Sequence, residues 1–593
     1  MRILYLEFLE FSICNCEERK IKPILKPNPY YNPIAKMNYL HNFKDTLFVD
    51  LLEVLNIVTI GEEHVNQLNL SGDASLSASS ESSNMSFNSG SEENSQEKSV
   101  EDLEKQNCEI NIHKNSDKEA DTKKDPFLVT FNGEDDPLMP YNWSTNKKAL
   151  IIIQTMLLTC VNYMGSSIYT PGQLEIQNEF HVGHVVGTLN LSLYVLGYGL
   201  GPIVFSPLTE ISSIGRLPVY MITFFLFTML QIGCALAPNF AGLVILRFIT
   251  GVLCSPALST GGATLGDIVS QNYLALVLGL WSIGAVAAPV LAPLLGASMV
   301  VAKDWRWIFW LLFFCCCATM LLLTFFFPET SSDTVLHRKA ARIRKLTGDN
   351  RYYTEKEREE AQLPKKQFLI ETLYRPFSMM ITEPIVLAFD LYIALCYGAF
   401  YLFFEAFPIV FGGIYHFTLV EQGLAYFGFC VGCIFAYIIL LVFSIKVAAK
   451  RFANNTFTPE TTLILAMCIG WCIPLALFMF GWTAKVHWIL PIISEVFFVL
   501  GCFNIFQASF SYLAICYPKY VASVFAGNGF ARSSFAAAFP LFGQAMYNNL
   551  GTKNYPVAWG SSLVGFFTIG LWVIPFVLYK YGPSLRSMSK YNR

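Results

Sequence analysis

The chain has 593 residues, of which 53% are hydrophobic and only 14% are charged. Soluble proteins carry about 25% charged residues, so this composition excludes an ordinary soluble domain as well as a disordered or collagen-like chain. The charge is uneven, because residues 1–150 hold 25 acidic and 15 basic residues whereas residues 151–593 hold 19 and 26. An acidic soluble segment therefore precedes a membrane-embedded body, and no basic soluble domain indicates a nucleic-acid partner.

Residues 1–147 are predicted to form a largely disordered cytoplasmic tail. Residues 71–100 contain 12 serines together with Glu and Asn, a composition that cannot bury a core. A stretch after Met37 is the exception, because its apolar residues recur at helical spacing. These residues are Leu47, Leu51, Leu52, Leu55 and Val58. No cleavable signal peptide is evident, since Glu7 and Glu10 interrupt the apolar start.

From Lys148 onward, long apolar runs alternate with short polar gaps. A helix needs about 20 apolar residues to cross a hydrocarbon layer of ~30 Å, and twelve runs reach that length. We number them as spans 1–12: 149–170, 185–207, 217–237, 240–263, 274–298, 307–327, 384–408, 422–444, 461–482, 489–512, 521–546 and 557–579. The predicted fold class is an all-α membrane protein with twelve transmembrane helices in two six-helix halves. The halves are 148–327 and 384–580, joined by a linker (328–383) and followed by a tail (581–593).

The placement of Lys and Arg orients these spans. With the N-terminus inside, the cytoplasmic gaps after the first span hold 20 basic residues and the outer gaps hold four. Basic residues concentrate on the cytoplasmic side of membrane proteins. The linker and both termini are therefore predicted to be cytoplasmic.

Two six-span halves joined by a charged linker are typical of transporters rather than enzymes. No pore-loop filter sequence indicates a channel, and no GxxxxGK[ST] motif indicates ATP-driven export. Cys430 and Cys433 have metal-ligand spacing, but no second pair or histidine cluster accompanies them. No metal site is therefore expected.

Several short motifs occur in order and in register with the spans. They are 136–143 (DPLMPYNW), 199–202 (GLGP), 206–210 (SPLTE), Gly215-Arg216, Arg247-Phe248 with Gly251, 284–296 with two prolines, 305–310 (WRWIFW) and 328–330 (PET). Together they resemble the major facilitator superfamily, specifically the fungal twelve-span drug:proton antiporters. Within that family the chain is similar to the yeast fluconazole and benomyl multidrug-resistance exporters.

This resemblance implies export of lipophilic drugs and xenobiotics at the plasma membrane by proton antiport with alternating access. The implied partners are small lipophilic substrates, protons and the lipid bilayer, with the proton gradient as energy source, no cofactor and a functional monomer. The stretch that begins at Met37 is similar to the start of the yeast subgroup. Residues 1–36 are therefore interpreted as an upstream extension of the gene model, the alternative being a translated but unstructured segment.

Five charged residues are candidates for proton coupling or gating. They are Arg247, Glu405, Arg532, Glu210 and Arg216. Arg532 lies near the middle of span 11, where a charge costs about 2.5–3.5 kcal/mol and needs a cavity or an interhelical ion pair. Glu405 lies about three residues from the outer end of span 7, so it is either a proton carrier or an interfacial carboxylate.

The other three roles are implied by the resemblance. Arg247 is expected to organise coupling with Glu405 as the carrier, the alternative being a structural donor to carbonyls. Glu210 and Arg216 flank the loop between spans 2 and 3, where four residues separate the acid from the Gly-Arg pair and the family usually has two.

Span 5 carries residues similar to the antiporter motif, whose prolines are expected to bend the helix and whose glycines admit close packing. They are Gly284, Pro289, Pro293 and Gly296. The candidates for the substrate cavity are polar or aromatic residues within the spans. They are Asn162, Tyr194, Tyr198, Tyr397, Phe404, Asn504, Gln507 and Asn528.

Two other functions stay open at this point. Export of polyamines or another physiological cation would need several acids facing the cavity, and only Glu405 and Glu495 qualify. A membrane sensor that keeps the fold without transport would bind its ligand without flux.

Overall fold

The computed structural model describes residues 45–54, 125–133, 135–362 and 365–591. The expectations for residues 1–36 and 71–100 concern parts of the chain outside the described residues. Within the described ranges every regular element is a helix, apart from two isolated bridges. Inside a lipid layer each backbone N–H and C=O must bond within its own segment, which is why apolar runs of this length form helices.

The N-terminal half contains one long helix for each of its six predicted spans. Spans 1–6 are Thr145–Ser167, His184–Glu210, Arg216–Ala235, Phe240–Ile268, Gln271–Ala302 and Arg306–Phe326. A short helix, Gln173–Phe180, connects span 1 to span 2.

The C-terminal half repeats this pattern with more irregular helices. Span 7 is Pro384–Phe407, continued by a π-helical segment, Pro408–Ile414. Span 8 consists of Leu419–Ala425, Phe427–Phe443 and Ala449–Ala453, and span 9 of Leu463–Ile469 and Cys472–Thr483. Spans 10–12 are Ile489–Cys516, Val521–Leu550 and Ala558–Met588.

Span 11 differs from the other spans in its polarity. Eleven helical segments of the described chain are long and apolar enough to cross a membrane, and span 11 is not among them. Its 30 residues are sufficient in length, but they include Asn528, Arg532 and Ser533. Asn528 and Ser533 are each only 1% exposed. The polar side chains of span 11 therefore face the protein interior, and a window average of hydropathy does not show which way a side chain faces.

Spans 2 and 4 pack backbone against backbone. A Cβ atom at Gly251 would collide with the backbone of Tyr194, and one at Gly197 with the carbonyl of Phe248. Small residues permit such contact inside a membrane, where close packing replaces the hydrophobic driving force. This contact fixes the position of Arg247, one turn before Gly251.

The linker forms three helices, Ser332–Thr347, Glu355–Gln362 and Lys365–Thr382. We call the end of the bundle that carries the linker the linker end. The other is the far end, where span 1 leads into span 2 and span 7 into span 8.

Two pieces of the predicted disordered tail are ordered against the linker. The helix Leu47–Val54 is tied down by Arg338, which lies 2.9 Å from Asp50 Oδ2. Residues 125–133 form a backbone bridge in which Val129 N–H donates to the Tyr353 carbonyl at 2.9 Å. The helix Leu47–Val54 falls within the stretch after Met37 that has helical spacing, so only residues 125–133 differ from the expected disorder, because bonds to the linker hold them in place.

Candidate functional site

We call the interface between the two six-helix halves the seam. In the middle of the seam, tyrosine hydroxyls of opposite halves form hydrogen bonds with each other. Tyr198 of span 2 bonds to Tyr397 and Tyr401 of span 7, with 2.8 and 3.1 Å between the hydroxyl oxygens. Tyr401 also donates to Ser166 Oγ of span 1 at 3.1 Å. The structure therefore brings the predicted cavity residues Tyr198 and Tyr397 together. Tyr401 was not predicted as a cavity residue, although its spacing of four from Tyr397 puts both on one face of span 7.

Arg532 of span 11 lies beside these tyrosines. Its Nη2 is 3.4 Å from the hydroxyl of Tyr163 in span 1, and its guanidinium carbon is 5.3 Å from the centre of the Tyr397 ring. Its Nε has no hydrogen-bond partner within the described chain, and no carboxylate there forms an ion pair with it. A guanidinium carries five N–H donors, so Arg532 keeps donors for a ligand or water in the seam.

Arg247 of span 4 is completely buried inside the N-terminal half. Its Nε donates to the Asn190 carbonyl at 3.2 Å, Nη1 to that of Gly165 at 2.7 Å, and Nη2 to that of Ser166 at 3.3 Å. No acid among the described residues forms an ion pair with it, so the structure does not bring it together with Glu405. These contacts match the alternative role of a structural donor to carbonyls.

Glu405 of span 7 contacts the opposite half at the far end of the bundle. Its Oε2 lies 3.4 Å from Nε2 of His184, the first residue of span 2. The Glu405 side chain is 7% exposed and that of His184 is 32% exposed, so the histidine connects a buried carboxyl to the surface. The sequence indicated neither this partner nor the pairing of the two spans.

The predicted end of span 7 at residue 408 was too early. The prediction placed Glu405 about three residues from the end of span 7, but helical structure continues through the π-helical segment to Ile414. The apolar residues of that segment prolong the span, so Glu405 lies nine residues before its end. A carboxylate at the membrane–water interface would be exposed to water. The Glu405 side chain is instead buried.

Asn528, a predicted cavity residue, bonds inside the C-terminal half. Its Nδ2 donates to Asp390 Oδ1 of span 7 at 2.7 Å, and both side chains are almost fully buried. Asp390 Oδ2 has no hydrogen-bond partner in the described part of the chain. Asp390 is thus a second buried carboxyl on span 7.

An ion pair to span 4 anchors the loop between spans 2 and 3. Arg216 lies 2.9 Å from Asp267 Oδ2 near the end of span 4 and does not pair with Glu210. Glu329, fully buried after span 6, accepts the N–H groups of Arg216 and Leu217 at 3.2 and 3.0 Å. A carboxylate is favourable at the start of a helix, so Glu329 stabilises the beginning of span 3.

The unusual length of this loop has a structural use. Ser212 lies within the four residues that separate Glu210 from Gly215. Its N–H and Oγ donate to the two carboxyl oxygens of Glu360 in the linker, at 2.9 and 2.8 Å. The loop is therefore held by the linker, and its partners lie more than 50 residues away along the chain, where no local pattern identifies them.

The span 5 prolines create a link to span 1. Pro293 has no N–H, so the carbonyl of Pro289 one turn earlier loses its helical donor. Ser167 Oγ of span 1 donates to that carbonyl at 2.9 Å. The helix continues through both prolines because a neighbouring side chain satisfies the freed acceptor.

The span 5 glycines lie where neighbouring helices come close. A Cβ atom at Gly296 would collide with the backbone of Ile168, and Gly284 also faces span 1. On the other side of the seam, Gly423 of span 8 packs against the backbone of Leu294. Span 5 therefore connects the N-terminal half to span 8.

Two other predicted cavity residues belong to the interior of the N-terminal half. Tyr194 donates to the Asn162 carbonyl at 2.7 Å, and its ring centre lies 4.3 Å from the guanidinium carbon of Arg247. The Asn162 amide donates to the Leu158 carbonyl at 3.0 Å. Both support Arg247 and its helices, and neither bonds across the seam.

The last three cavity candidates lie in the C-terminal half. Gln507 donates across the seam to Ser282 Oγ of span 5 at 2.8 Å. Phe404 packs its ring on Tyr401, with 5.5 Å between ring centres. Asn504 donates to a carbonyl within its own helix and has an unpartnered, buried Oδ1 within the described chain.

The cysteines and acids do not assemble a metal site in the ranges that the structure describes. No group of three or more His, Cys, Asp or Glu residues there could hold a metal ion. Cys430 and Cys433 are free thiols on the helix Phe427–Phe443.

Known proteins are similar to this chain in sequence and in fold. A family model described as Major Facilitator Superfamily matches residues 155–540. The chain is 59% identical over 585 residues to multidrug transporter FLR2 of Candida glabrata, covering 93% of this chain and 99% of that protein. It is 60% identical over 560 residues to fluconazole resistance protein 1 of Saccharomyces cerevisiae, covering 94% and 100%.

A solved structure agrees at the level of the fold. The proton:xylose symporter XylE from E. coli matches with a TM-score of 0.52 and 12% identity, covering 74% of this chain and 96% of the symporter. The family and the named relatives indicate a transporter, not an enzyme. The chain therefore belongs to the Major Facilitator Superfamily and, within it, to the fungal membrane drug transporters.

Proposed function

We propose that this transporter exports lipophilic xenobiotics, including azole-like and benomyl-like compounds, across the plasma membrane in exchange for inward-moving protons. The observation that carries the proposal is the contact of Glu405 with His184 across the seam at the far end. Both side chains can bind a proton, and they belong to different halves. Protonation at this contact is thereby linked to separation of the halves, which alternating access requires.

The sign of the coupling follows from the charges. An ionised Glu405 accepts a hydrogen bond from the His184 ring, and this contact holds the far end closed. A proton that reaches Glu405 from outside neutralises the carboxyl, so the contact is lost and the far end opens. When the linker end opens instead, the proton leaves into the cell and Glu405 regains its charge.

The middle of the seam supports an aromatic, mainly uncharged substrate. Tyr198, Tyr397, Tyr401 and Phe404 provide rings and hydroxyls, and Arg532 contributes a cation with free donors. Ligand sites are usually apolar surfaces with a few placed polar groups. A central arginine repels polycations, so the seam favours lipophilic drugs over polyamines.

Drug efflux from cells tests the proposal. Cells that express the chain should export an azole faster than cells without it, and a proton uncoupler should abolish the difference. Glu405→Gln keeps the size of the side chain but cannot ionise, so we expect loss of uncoupler-sensitive efflux with azole binding retained. Glu359→Gln, at an exposed carboxyl of the linker, is the matched control and should export normally.

The outcomes distinguish the three functions. Efflux that ignores the uncoupler would refute proton antiport. Azole binding without any flux would support the sensor, and export of polyamines but not azoles would support the cation exporter.

Orientation has its own test. We propose that the linker and both termini are cytoplasmic and that the far end faces outside, as the basic-residue bias indicates. A membrane-impermeant maleimide should label Asn554→Cys at the far end of intact cells but not Asn350→Cys in the linker. The native chain provides the background, and efficient labelling of Asn350→Cys would contradict the orientation.

A further inference from the structure

Glu495 is a buried carboxyl that the proposed antiport cycle does not yet use. It lies in the second turn of span 10 and has no exposed surface. Neither of its carboxyl oxygens accepts a well-formed hydrogen bond among the residues that the structure describes, where the backbone N–H of Phe429 is the donor near it and no base forms an ion pair with it. An ionised carboxylate without partners is very costly inside a protein, so the protonated form is favoured in this conformation.

The carboxyl faces a break in span 8. The helices Leu419–Ala425 and Phe427–Phe443 are separated by Tyr426, and Gly428 follows in the first turn of the second helix. A Cβ atom at position 428 would lie 2.6 Å from Glu495 Oε2, so only glycine leaves room for the carboxyl there. The backbone N–H of Phe429, in the first turn of this helix, donates to the Tyr426 carbonyl at 3.1 Å and lies near the Glu495 carboxyl, and a helix start favours a carboxylate. Burial thus favours the protonated form, and the helix start favours the ionised form.

The surroundings suit a proton rather than a metal ion. A metal needs several oxygen, nitrogen or sulfur ligands, and no such group is found in the described ranges. The titratable neighbours of Glu495 are Tyr426 and Cys430 of span 8, and Glu405 of span 7 lies beyond Tyr426. None of these side chains is a cation.

Two side chains of span 8 lie near both Glu495 and groups of other spans. Tyr426 lies within electrostatic range of both Glu495 and Glu405. Cys430 lies within range of both Glu495 and Cys160, and Cys160 belongs to span 1 in the opposite half. When the halves part, Tyr426 and Cys430 become the wall of the opening, so a small movement of either gives water access to Glu495.

We propose that Glu495 binds a second transported proton, so that each cycle moves one proton on Glu405 and one on Glu495. This inference rests on the proposed antiport function and specifies its proton sites. Glu495 takes up its proton in the far-end-open state, when water reaches the break in span 8, and releases it after the far end closes and the linker end opens. Its position behind Tyr426 leaves the seam free for the substrate.

Proton counting tests the inference. In vesicles that contain the purified transporter, protons moved and azole moved are measured together. The wild-type chain should move two protons per azole, and Glu495→Gln should move one, while azole export remains sensitive to an uncoupler. Glu421→Gln, at an exposed carboxyl of the neighbouring span 8, is the control and should keep two. An unchanged ratio in Glu495→Gln would show that Glu495 is a permanently protonated structural group.

A second measurement uses the native chain, in case the variant fails to fold. Dicyclohexylcarbodiimide reacts with protonated carboxyls in apolar surroundings, and peptide mass spectrometry locates the product. At one pH, adding an exported azole should lower the modification of Glu495 at least about twofold, because turnover removes its proton. Equal modification with and without azole, or none at Glu495, would overturn the inference. Failure of wild-type efflux to respond to the uncoupler would instead refute the antiport function itself.

Discussion

The two halves of the molecule treat buried charge in opposite ways. In the N-terminal half the buried charge is the cation Arg247, and each of its three guanidinium nitrogens donates to a backbone carbonyl. In the C-terminal half the buried charges include three carboxyls, Asp390, Glu405 and Glu495. One oxygen of Asp390 has no hydrogen-bond partner in the described chain, and neither oxygen of Glu495 accepts a well-formed hydrogen bond there.

We call the part of the molecule that holds helices in fixed positions the frame, and the part that can exist in two protonation states the switch. A guanidinium does not lose its proton near neutral pH, and one whose nitrogens all bond to carbonyls holds helices in fixed positions. A carboxyl with free oxygens can exist in two protonation states, each with a different preference for neighbours. We therefore expect the N-terminal half to supply rigidity and the C-terminal half to supply proton binding. Variants in each half test that division.

Arg247→Ala should have the largest effect. The change removes the donors of three carbonyls that link span 4 to spans 1 and 2, and each carbonyl left without a donor costs about 1–3 kcal/mol. We expect little folded transporter at the membrane, measured as surface amount and as thermal stability of the detergent-solubilised protein. Arg247→Lys keeps the charge but not the planar fork, so it should rescue folding only in part.

Arg306→Ala provides the matched control for Arg247. Arg306 also binds several groups, but it pairs with Glu179 at a half-exposed site of the far end. Exposed pairs contribute about 0.2–1 kcal/mol, so surface amount should change little. If Arg247→Ala reaches the membrane in normal amount and loses only its proton dependence, the arginine organises coupling and the division between the halves fails.

Arg532→Gln should have the next largest effect, on substrate rather than on folding. The guanidinium faces the seam with a free Nε and one long contact to Tyr163, so its removal leaves few groups unsatisfied. An azole ring that packs on the Arg532 guanidinium would make a desolvated cation–π contact worth about 1–2 kcal/mol. Loss of that contact should weaken azole binding roughly tenfold. Azole binding to the purified chain measures this, with thermal stability as the control. A large loss of stability would show that Arg532 is part of the frame.

The sequence predicted the helical architecture because membrane spans are set by local composition. Each of the twelve predicted spans is helical, even span 11, whose polar residues keep its average hydropathy low. Arg247 and Arg532 stood out for a similar reason, since a charge inside an apolar run is visible without any partner. Local pattern thus identified which residues are exceptional.

The partners of these residues could not be predicted from the sequence. Arg216 pairs with Asp267 instead of the nearby Glu210, and Glu405 meets His184 from 221 residues earlier in the chain. Such contacts depend on which helix faces meet, and the helices here are apolar on all sides, so periodicity does not reveal their faces. The end of span 7 was predicted too early because an irregular π-helical segment lengthens this span.

His184→Ala should have a smaller effect that depends on pH. The His184–Glu405 contact is 3.4 Å long and partly exposed, so its loss changes the free energy of closing the far end by about 0.2–1 kcal/mol. We expect export to fall about two- to fivefold near neutral external pH and to approach the wild-type rate at acid pH, where Glu405 is protonated in both proteins. A rate ratio that does not change between external pH 5 and 7.5 would argue against a protonation-linked contact. His487→Ala, at another far-end histidine, is the control.

The smallest effect is expected from deletion of residues 1–120, because the frame and the proton sites both lie beyond it. The deletion does remove the helix Leu47–Val54, which Arg338 and Arg342 of the linker bind through Asp50 and Asp45 at 2.9 and 3.2 Å. These contacts lie at the linker end, away from the seam and the proton sites, so azole export per surface molecule should stay close to that of the full chain.

The double variant Asp45→Asn/Asp50→Asn isolates that contact without removing the tail. It should behave like the deletion, because both leave the two halves and the seam intact. Export per surface molecule, measured with and without the uncoupler, checks both chains. If either change abolishes uncoupler-sensitive export at equal surface amount, the linker and its docked helix take part in the transport cycle, and the division between frame and switch must extend to the linker end.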